Sequence, residues 1–433
     1  MKKAIYWFRN NLRIKDNPSL KRVFEENDEV SCIYIKNYNI YNPNKLKLGS
    51  MGVYRKKFLD ETILDLKANL KKENQTLYIL EGDLIEIFNE IKIKYGSEII
   101  YGTREVGWYE QSNEKNLEKN NFKLILSDDQ NLINEEDLPY QINELPLIFT
   151  HFRKKVEKFS KIRDVVRNVN FKKQSINYNF SMESTIEIDK VENHKFSNFP
   201  FLGGESYGEE RLNDYLWGSH GISRYKETRN GLIGTEYSSK FSSYLALGSL
   251  SPVKIYHEIK KYEENVTKNE STYWLIFELL WREFFRYVYK KGGKKIFLKN
   301  GINGNIFKKN FHSNLEKFEK WSTGKTGEDF IDANMKELIQ TGFMSNRGRQ
   351  NVASYLVNNL DINWVWGAAF FEKHLIDYDT TSNWCNWMYI SGVGNNVKNW
   401  IFNPNRQAEM YDKDGKYREI WLQKKIGQQN ILF

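Results

Sequence analysis

The 433-residue sequence holds only two cysteines, Cys32 and Cys385. That is too few for a disulfide framework or a cysteine-ligated zinc site, and it points to a reducing compartment. Histidine is scarce as well: the six present form no HxxxH or HxH set, so no metal site is expected. No apolar run approaches the roughly 18 residues that a membrane span needs, which excludes membrane integration. Met1-Lys2-Lys3 leads straight into Ala4–Phe8, too short and too aromatic for the apolar part of a signal peptide. The chain is therefore expected to stay in the cytoplasm.

What is present is length, charge and aromatic surface. At roughly 100–200 residues per domain, two to four structural units with ample core are expected. Lys+Arg 65 against Asp+Glu 56 gives +9, which suits a polyanionic partner but is also what a Lys/Asn-rich proteome produces by drift, so charge alone leaves nucleic acid open. Aromatic residues make up 15 %, and ten of the 12 Trp lie beyond position 200. The second half uses indoles heavily.

Up to about residue 128 short apolar runs alternate with helical patterns. Ala4–Phe8, Val30–Ile35, Leu77–Leu80, Ile99–Tyr101 and Leu124–Leu126 read as strands, and Pro18–Phe24, Val53–Leu70, Leu84–Tyr95 and Trp108–Leu117 as helices. This alternation predicts an α/β domain with a doubly wound parallel sheet over 1–128. No GxGxxG follows the first strand, so any ligand is held differently from a dinucleotide. Residues 129–204 are polar and weakly periodic apart from a helix at Phe149–Phe159, and read as an interdomain linker over the surface. From 205 to 422 the pattern is helical, with helices at Glu205–Trp217, Ser251–Glu264, Ser271–Lys290, Phe330–Thr341, Arg347–Asn358 and Trp364–Leu375. Residues 423–433 read as a short polar tail.

Three stretches carry candidate chemistry. In Ser271–Lys290, Trp274, Glu278, Trp281, Arg282 and Phe285 fall on one helical face. They are either a buried ion pair with packing aromatics or the wall of a pocket for a flat ligand. Ser238-Ser239-Lys240-Phe241-Ser242 either caps a helix or cradles a phosphate. Asp377 and Asp379, two residues apart, do not face each other as a hydrolase pair does; one of them is expected to pair with an arginine of Asn346-Arg347-Gly348-Arg349. Gly324-Lys325-Thr326 lacks the upstream glycine of a P-loop.

Together these segments resemble the cryptochrome/photolyase family, most closely its DASH cryptochrome branch. The resemblance runs over nearly the whole chain. Trp7-Phe8-Arg9-Asn10-Asn11-Leu12-Arg13 with Asp16-Asn17-Pro18 is similar to the family's WFRxDLRxxDNP. Tyr225–Gly231, Tyr237–Ser242, Leu245–Pro252, Trp281–Phe285, Gly324–Gly327 and Asn346–Ser354 carry the rest.

The resemblance implies an N-terminal Rossmann-like antenna domain and an all-α domain holding bent FAD. Tyr225, Ser238, Ser239, Lys240, Phe241 and Ser242 match diphosphate-side contacts. Glu278, Trp281, Arg282 and Phe285 match the pocket helix, and Asn346, Arg349, Asp377, Asp379 and Asn383 the flavin shell, with Arg349 and Asp377 as an ion pair beside the ring. The implied activity is light-driven repair: excited FADH⁻ gives an electron to a cyclobutane pyrimidine dimer (CPD), the ring splits and the electron returns, with the dimer extruded from the stack. Glu278, Trp281 and Asn383 would serve the lesion and flavin. Tyr389 and Gln350 stand where duplex-acting relatives commonly carry Trp and Met, which favours damage in single-stranded DNA. Arg229, Arg347 and Arg406 are nucleic-acid candidates, and Glu105 a contact to 5,10-methenyltetrahydrofolate as antenna. Trp387 and Trp364 match an electron relay, but its outer position is Phe311, and Cys385 stands where the branch usually has Gly. A monomer without an obligate protein partner is expected. The alternative is a blue-light photoreceptor or regulator that binds nucleic acid without efficient repair; the short tail after Trp421 argues for the enzyme.

Overall fold

The computed structural model describes residues 2–43, 45–171, 178–304, 306–395 and 400–424. Strands β1 (Lys3–Phe8), β2 (Glu29–Ile35), β3 (Leu77–Leu80), β4 (Ile99–Thr103) and β5 (Lys123–Ser127) form one parallel sheet in the order β3-β2-β1-β4-β5. Helices α1 (Pro18–Glu26), α2 (Val53–Lys72), α3 (Leu84–Tyr95) and α4 (Trp108–Lys119) connect them. Local chemistry sets their ends. Asn17 accepts from the Leu20 N–H at 3.1 Å with Pro18 at the first turn of α1, and α3 stops at Gly96 in the left-handed region, φ 67°. The strand order reverses between β1 and β4, which opens a crevice at the carboxyl ends of the strands.

After α5 (Phe149–Phe159) the chain is helical: α6 (Glu205–Asn213), α7 (Tyr225–Thr228), α8 (Ser242–Ala246), α9 (Pro252–Asn265), α10 (Glu270–Gly292), α11 (Leu315–Ser322), α12 (Asp329–Thr341), α13 (Asn346–Asn358), α14 (Trp364–His374), α15 (Thr380–Ser391), α16 (Pro404–Tyr411) and α17 (Lys416–Leu422). The sequence pattern missed the short α7 and α8 as well as α11, α15, α16 and α17. Helix α15 shows why: Thr, Ser and Asn have modest helix propensity, and it is buried on two sides, Thr381, Trp384, Cys385 and Met388 on one and Asn383, Trp387, Ile390 and Ser391 on the other, so no apolar stripe faces a polar one. The expected helix Glu205–Trp217 also changes character, winding from Asp214 to Gly218 as a wider turn.

The surface linker requires correction. Asp129–Ile133 is buried, because Arg13 takes the Asp129 carbonyl at 2.6 Å, Arg282 the Gln130 carbonyl at 2.7 Å and Arg286 the Asn131 side chain at 2.7 Å. Further on, Phe152 and Val156 enter the helical core, and Phe180 packs on Tyr78 of β3 with ring centroids 5.0 Å apart. Of the expected tail, residues 425–433 lie outside those described.

The opening motif joins the two domains. Leu12 N–H donates to the Leu247 carbonyl at 3.1 Å and Arg13 to the Gly248 carbonyl at 2.8 Å. Gly248 has φ 63°, and a Cβ there would collide with the Asn10 carbonyl, so only glycine allows this approach. The N–H groups of Ile14 and Lys15 donate to the Glu205 carboxylate at 2.9 and 2.8 Å. No helix among the described residues is long and apolar enough to cross a membrane.

Candidate functional site

Helix α10 starts from a capping box between Asn269 and Thr272. Leu275, Ile276, Leu279 and Leu280 are buried, whereas Trp274, Glu278, Trp281 and Arg282 are half-buried. The stripe that stood out by spacing is thus the face the protein leaves partly uncovered. Trp281 stacks on Phe149 (3.8 Å, 12°) and meets Tyr389 edge to face at 6.0 Å. Tyr389 in turn stacks on Trp400 at 6.2 Å and Trp400 on Phe402 at 6.4 Å. Glu278 and Arg282 do not pair with each other. Glu278 pairs with Arg229, and burial pushes its carboxyl above the usual range despite that charge. Arg282 donates to the Gln130 carbonyl and, at 3.2 Å, to Glu283.

A cavity against α15, whose Tyr389 meets Trp281 of α10, is lined by Asn346, Arg349, Gln350, Asp377, Asn383 and Trp387, with no residue of α10 in its wall. Three neighbouring segments supply them: the first turns of α13, the loop after α14, and α15. Of the two carboxylates, Asp377 pairs with Arg349, whose Nη2 lies 2.8 and 3.0 Å from its oxygens. Asp379 caps α15, accepting from the Ser382 N–H at 2.7 Å and the Thr381 hydroxyl at 2.6 Å. Its burial favours the neutral acid, but Arg282, Arg286 and these hydrogen bonds outweigh that and hold its pKa below the ordinary value. The Asn383 amide donates to the Ala368 carbonyl at 3.0 Å, which fixes its orientation.

The Ser238–Ser242 stretch does not cap a helix through its side chains: Phe241 holds the cap position of α8 without a side-chain bond. Arg211 instead gathers the carbonyls of Ser238 and Ser239 at 3.3 and 3.1 Å. Lys240 corrects the sequence picture. Its backbone takes φ 64° and its ammonium is buried against the Tyr237 ring at 3.2 Å and the Phe343 ring at 4.8 Å, so the side chain is turned into the protein, and burial pushes its pKa well down. Tyr225 is buried, close enough to Glu278 and Arg229 to feel both charges. The Tyr237 hydroxyl, Ser243 Oγ and Arg282 Nη2 are buried without a hydrogen-bond partner. Leaving such a group unsatisfied costs about 1–3 kcal/mol. Polar atoms awaiting partners, aromatic walls and paired charges fit a dinucleotide with a flat ring system and a diphosphate.

Arg347, Arg406, Glu105, Trp364 and Phe311 fall outside this cavity. Arg347 donates to Gln350 at 2.8 Å and to Asn230 at 3.0 Å and lies over Tyr411, while Arg406 is exposed. Glu105 sits in the crevice of the sheet, in a cleft of about 470 Å³ between the domains. It accepts from Gln130 at 3.0 Å and Asn10 at 3.2 Å, and burial pushes its carboxyl up to about 7. Trp387 lies against Gly367, one turn beyond Trp364 in α14. Trp364 is fully buried, and Phe311 is buried too, at 5 % exposure. Trp321 is no surface exit: it is fully buried, and its indole N–H is bound to the Val352 carbonyl at 3.0 Å. Sequence reasoning passed over Trp384, Trp400 and Phe402. For Trp384 the signal available was a second indole three residues before Trp387, on the same side of a helix that the pattern did not reveal.

Residues 4–169 match the DNA photolyase family and residues 274–429 the FAD binding domain of DNA photolyase. Cryptochrome DASH of Synechocystis sp. is 40 % identical, with 97 % of this chain and 87 % of the relative covered. Cryptochrome DASH of Xenopus laevis is 37 % identical over 96 % of this chain and 81 % of its own. A crystal structure of a Synechocystis cryptochrome superposes with a TM-score of 0.92 at 39 % identity, covering 97 % of this chain and 88 % of that one. A class III photolyase from Agrobacterium tumefaciens, at 23 % identity and TM-score 0.82, shares the fold, with 98 % of this chain and 87 % of that chain covered.

Fold and site define a light-responsive flavoprotein with a photolyase-type FAD-binding domain. The chain belongs to the photolyase/cryptochrome family, within its DASH cryptochromes.

Proposed function

We propose that this protein is a deoxyribodipyrimidine photo-lyase that splits cyclobutane pyrimidine dimers under blue light, preferentially in single-stranded DNA. The observation that carries the reading is one cavity lined by Arg349, Asp377, Asn383 and Gln350, set on α15, whose Tyr389 meets Trp281 of α10. Reduced FAD bound there supplies a photoexcited electron donor for opening the cyclobutane ring and a site to which the electron returns. Arg349 and Asp377 would hold the ring edge, Asn383 would offer its amide to the ring, and the Ser238–Ser243 segment with Arg282 would receive the diphosphate side. Glu278, whose carboxyl is raised by burial, offers a hydrogen bond to the lesion. Trp281 has one face covered by Phe149, so its remaining face and edge serve the pyrimidines.

The preference for single strands follows from the energetics. Extruding a dimer from a duplex costs a few kcal/mol, and base–aromatic stacking returns about 1–3 kcal/mol per base. Tyr389 presents less stacking surface than Trp, and Gln350 is committed to Arg347. A single strand avoids most of the extrusion cost. The cleft around Glu105 is the place we assign to 5,10-methenyltetrahydrofolate. The buried free thiols Cys32 and Cys385 suit a reducing compartment such as the cytoplasm.

The test is blue-light repair of the same CPD in single-stranded and duplex oligonucleotides. Faster repair of the single strand supports the proposal, and equal repair at subsaturating protein overturns the strand preference. No repair of either, with intact flavin photoreduction, identifies a photoreceptor or regulator instead.

A further inference from the structure

Trp364 has an awkward position for a relay residue. Its indole N–H donates to the neutral carbonyl of Lys299 at 2.9 Å, which cannot take a proton from an oxidised ring. Phe311, linked to it through Lys299, whose ammonium lies 6.0 Å from the Phe311 ring, is too hard to oxidise to relieve it. A different indole meets Trp364: Trp384, edge to face at 5.9 Å. Trp384 is fully buried, yet its N–H faces the Tyr378 hydroxyl at 3.2 Å and the Glu372 carboxylate at 3.4 Å. Tyr378 donates to the same Glu372 oxygen at 2.8 Å, and the other oxygen accepts the Tyr41 backbone N–H at 2.9 Å. The Tyr41 ring lies 5.4 Å from Trp384 and lines the interdomain cleft.

We propose that Trp384 and Tyr41 carry oxidising equivalents from Trp364 to the interdomain cleft, with Glu372 holding the indole proton. The proposal rests on Trp387 and Trp364 acting as a relay for reduction of the flavin. The primary oxidant is photoexcited oxidised flavin, which withdraws one electron by way of Trp387 and Trp364. Trp384 then gives one electron to oxidised Trp364 and its Nε1 proton to Glu372. Tyr41 gives one electron to Trp384, which recovers its proton from Glu372, while the phenolic proton of Tyr41 passes to water in the cleft. A soluble thiol returns an electron and a proton to Tyr41. Two observations favour this direction: Glu372 places a negative charge beside the oxidised indole, and of the two half-buried tyrosines here that line the cleft, Tyr41 and Tyr378, it is Tyr378 that lies under the Arg55 cation at 4.3 Å, which disfavours oxidising that ring and leaves Tyr41.

The test is electron paramagnetic resonance of the FAD-loaded protein, illuminated and frozen, made with ordinary or ring-deuterated tyrosine. A radical whose hyperfine structure collapses on tyrosine deuteration, and which is lost in Tyr41→Phe but kept in Tyr378→Phe, is expected; a tyrosine radical that survives Tyr41→Phe overturns the Tyr41 step. A protein radical untouched by the label overturns the Tyr41 step. Trp384→Phe, at parental flavin content, should lose that signal and photoreduce about tenfold more slowly, and Phe311→Trp in the same background should restore photoreduction. Parental behaviour of Trp384→Phe while Trp364→Phe is inactive refutes this exit alone. Parental photoreduction by Trp364→Phe refutes the relay beneath it. Should Trp384→Phe not fold, the labelled parent protein and Tyr41→Phe still decide.

Discussion

Arg349 and Asp377 meet at the cavity with one guanidinium nitrogen held between both carboxylate oxygens, at 2.8 and 3.0 Å. The two residues are 28 positions apart and come from different segments, so the pair ties the start of α13 to the loop after α14. The Asp377 side chain is only 3 % exposed, the Arg349 side chain 25 %.

Asp377→Asn should therefore weaken both the local fold and flavin retention. Breaking a fully buried pair costs about 3–5 kcal/mol; solvent access to Arg349 reduces this to about 2 kcal/mol. Bound flavin per protein, read from absorbance after gel filtration, should fall, as should the Tm of the apoprotein. Unchanged flavin content would separate this pair from the cofactor site.

Glu278→Gln and Glu278→Ala discriminate a lesion contact from a structural ion pair. Both lose the charge opposite Arg229, but glutamine keeps a hydrogen-bonding head. Repair by chemically pre-reduced protein should fall more steeply for alanine than for glutamine, with flavin content changing less than repair in either. Equal losses of flavin and repair would make Glu278 a structural residue.

Arg406 is exposed at the start of α16. If it contacts a phosphate, Arg406→Ala should reduce the slope of log K against log[salt] for single-stranded DNA by about 0.7. Fluorescence titrations at several salt concentrations measure this. An unchanged slope removes Arg406 from the interface.

His374 predicts a pH effect on stability. Burial pushes its imidazole down to about 4, where it lies tilted against Phe370 with centroids 4.4 Å apart, against about 6.5 in the unfolded chain. The neutral form is favoured in the folded state. Its contribution is complete above about pH 6.5 and is lost as pH falls towards 4, on the order of 3 kcal/mol in all. Glu105, Glu205 and Glu337, each pushed up to about 7 by burial, act in the opposite sense. Their contribution is full below the unfolded carboxyl value and is lost as pH rises through about 7. Since they are common to both proteins, the Tm difference between the parent and His374→Gln isolates His374. It should shift against the parent between about pH 7.5 and about pH 5, and a constant difference would refute the assignment.

The sheet was legible because parallel strands buried on both faces read as apolar runs, and helices between them carry one apolar stripe. The expected β3 and α3 have the same bounds as those observed. The half-buried stripe of α10 was legible for the same reason: helical period converts spacing into a shared face. The residue pattern alone paired one of Asp377 and Asp379 with an arginine of 346–349 and left open which acid and which arginine; it was the family resemblance that named Arg349 with Asp377. The tertiary structure forms that pair and draws Arg347 to Gln350 and Asn230 instead. Tertiary structure likewise decided that Asp129–Ile133 is buried: its polar side chains read as a surface loop until the arginines that bind its carbonyls and amides are in place. Lys240 reads as a phosphate ligand until Tyr237 and Phe343 close around it. The contact between Trp364 and Trp384 joins two helices whose packing no local pattern encodes. Periodicity and motif order determine which elements exist and which faces they present; partners brought together across long sequence separations depend on how those faces close on one another.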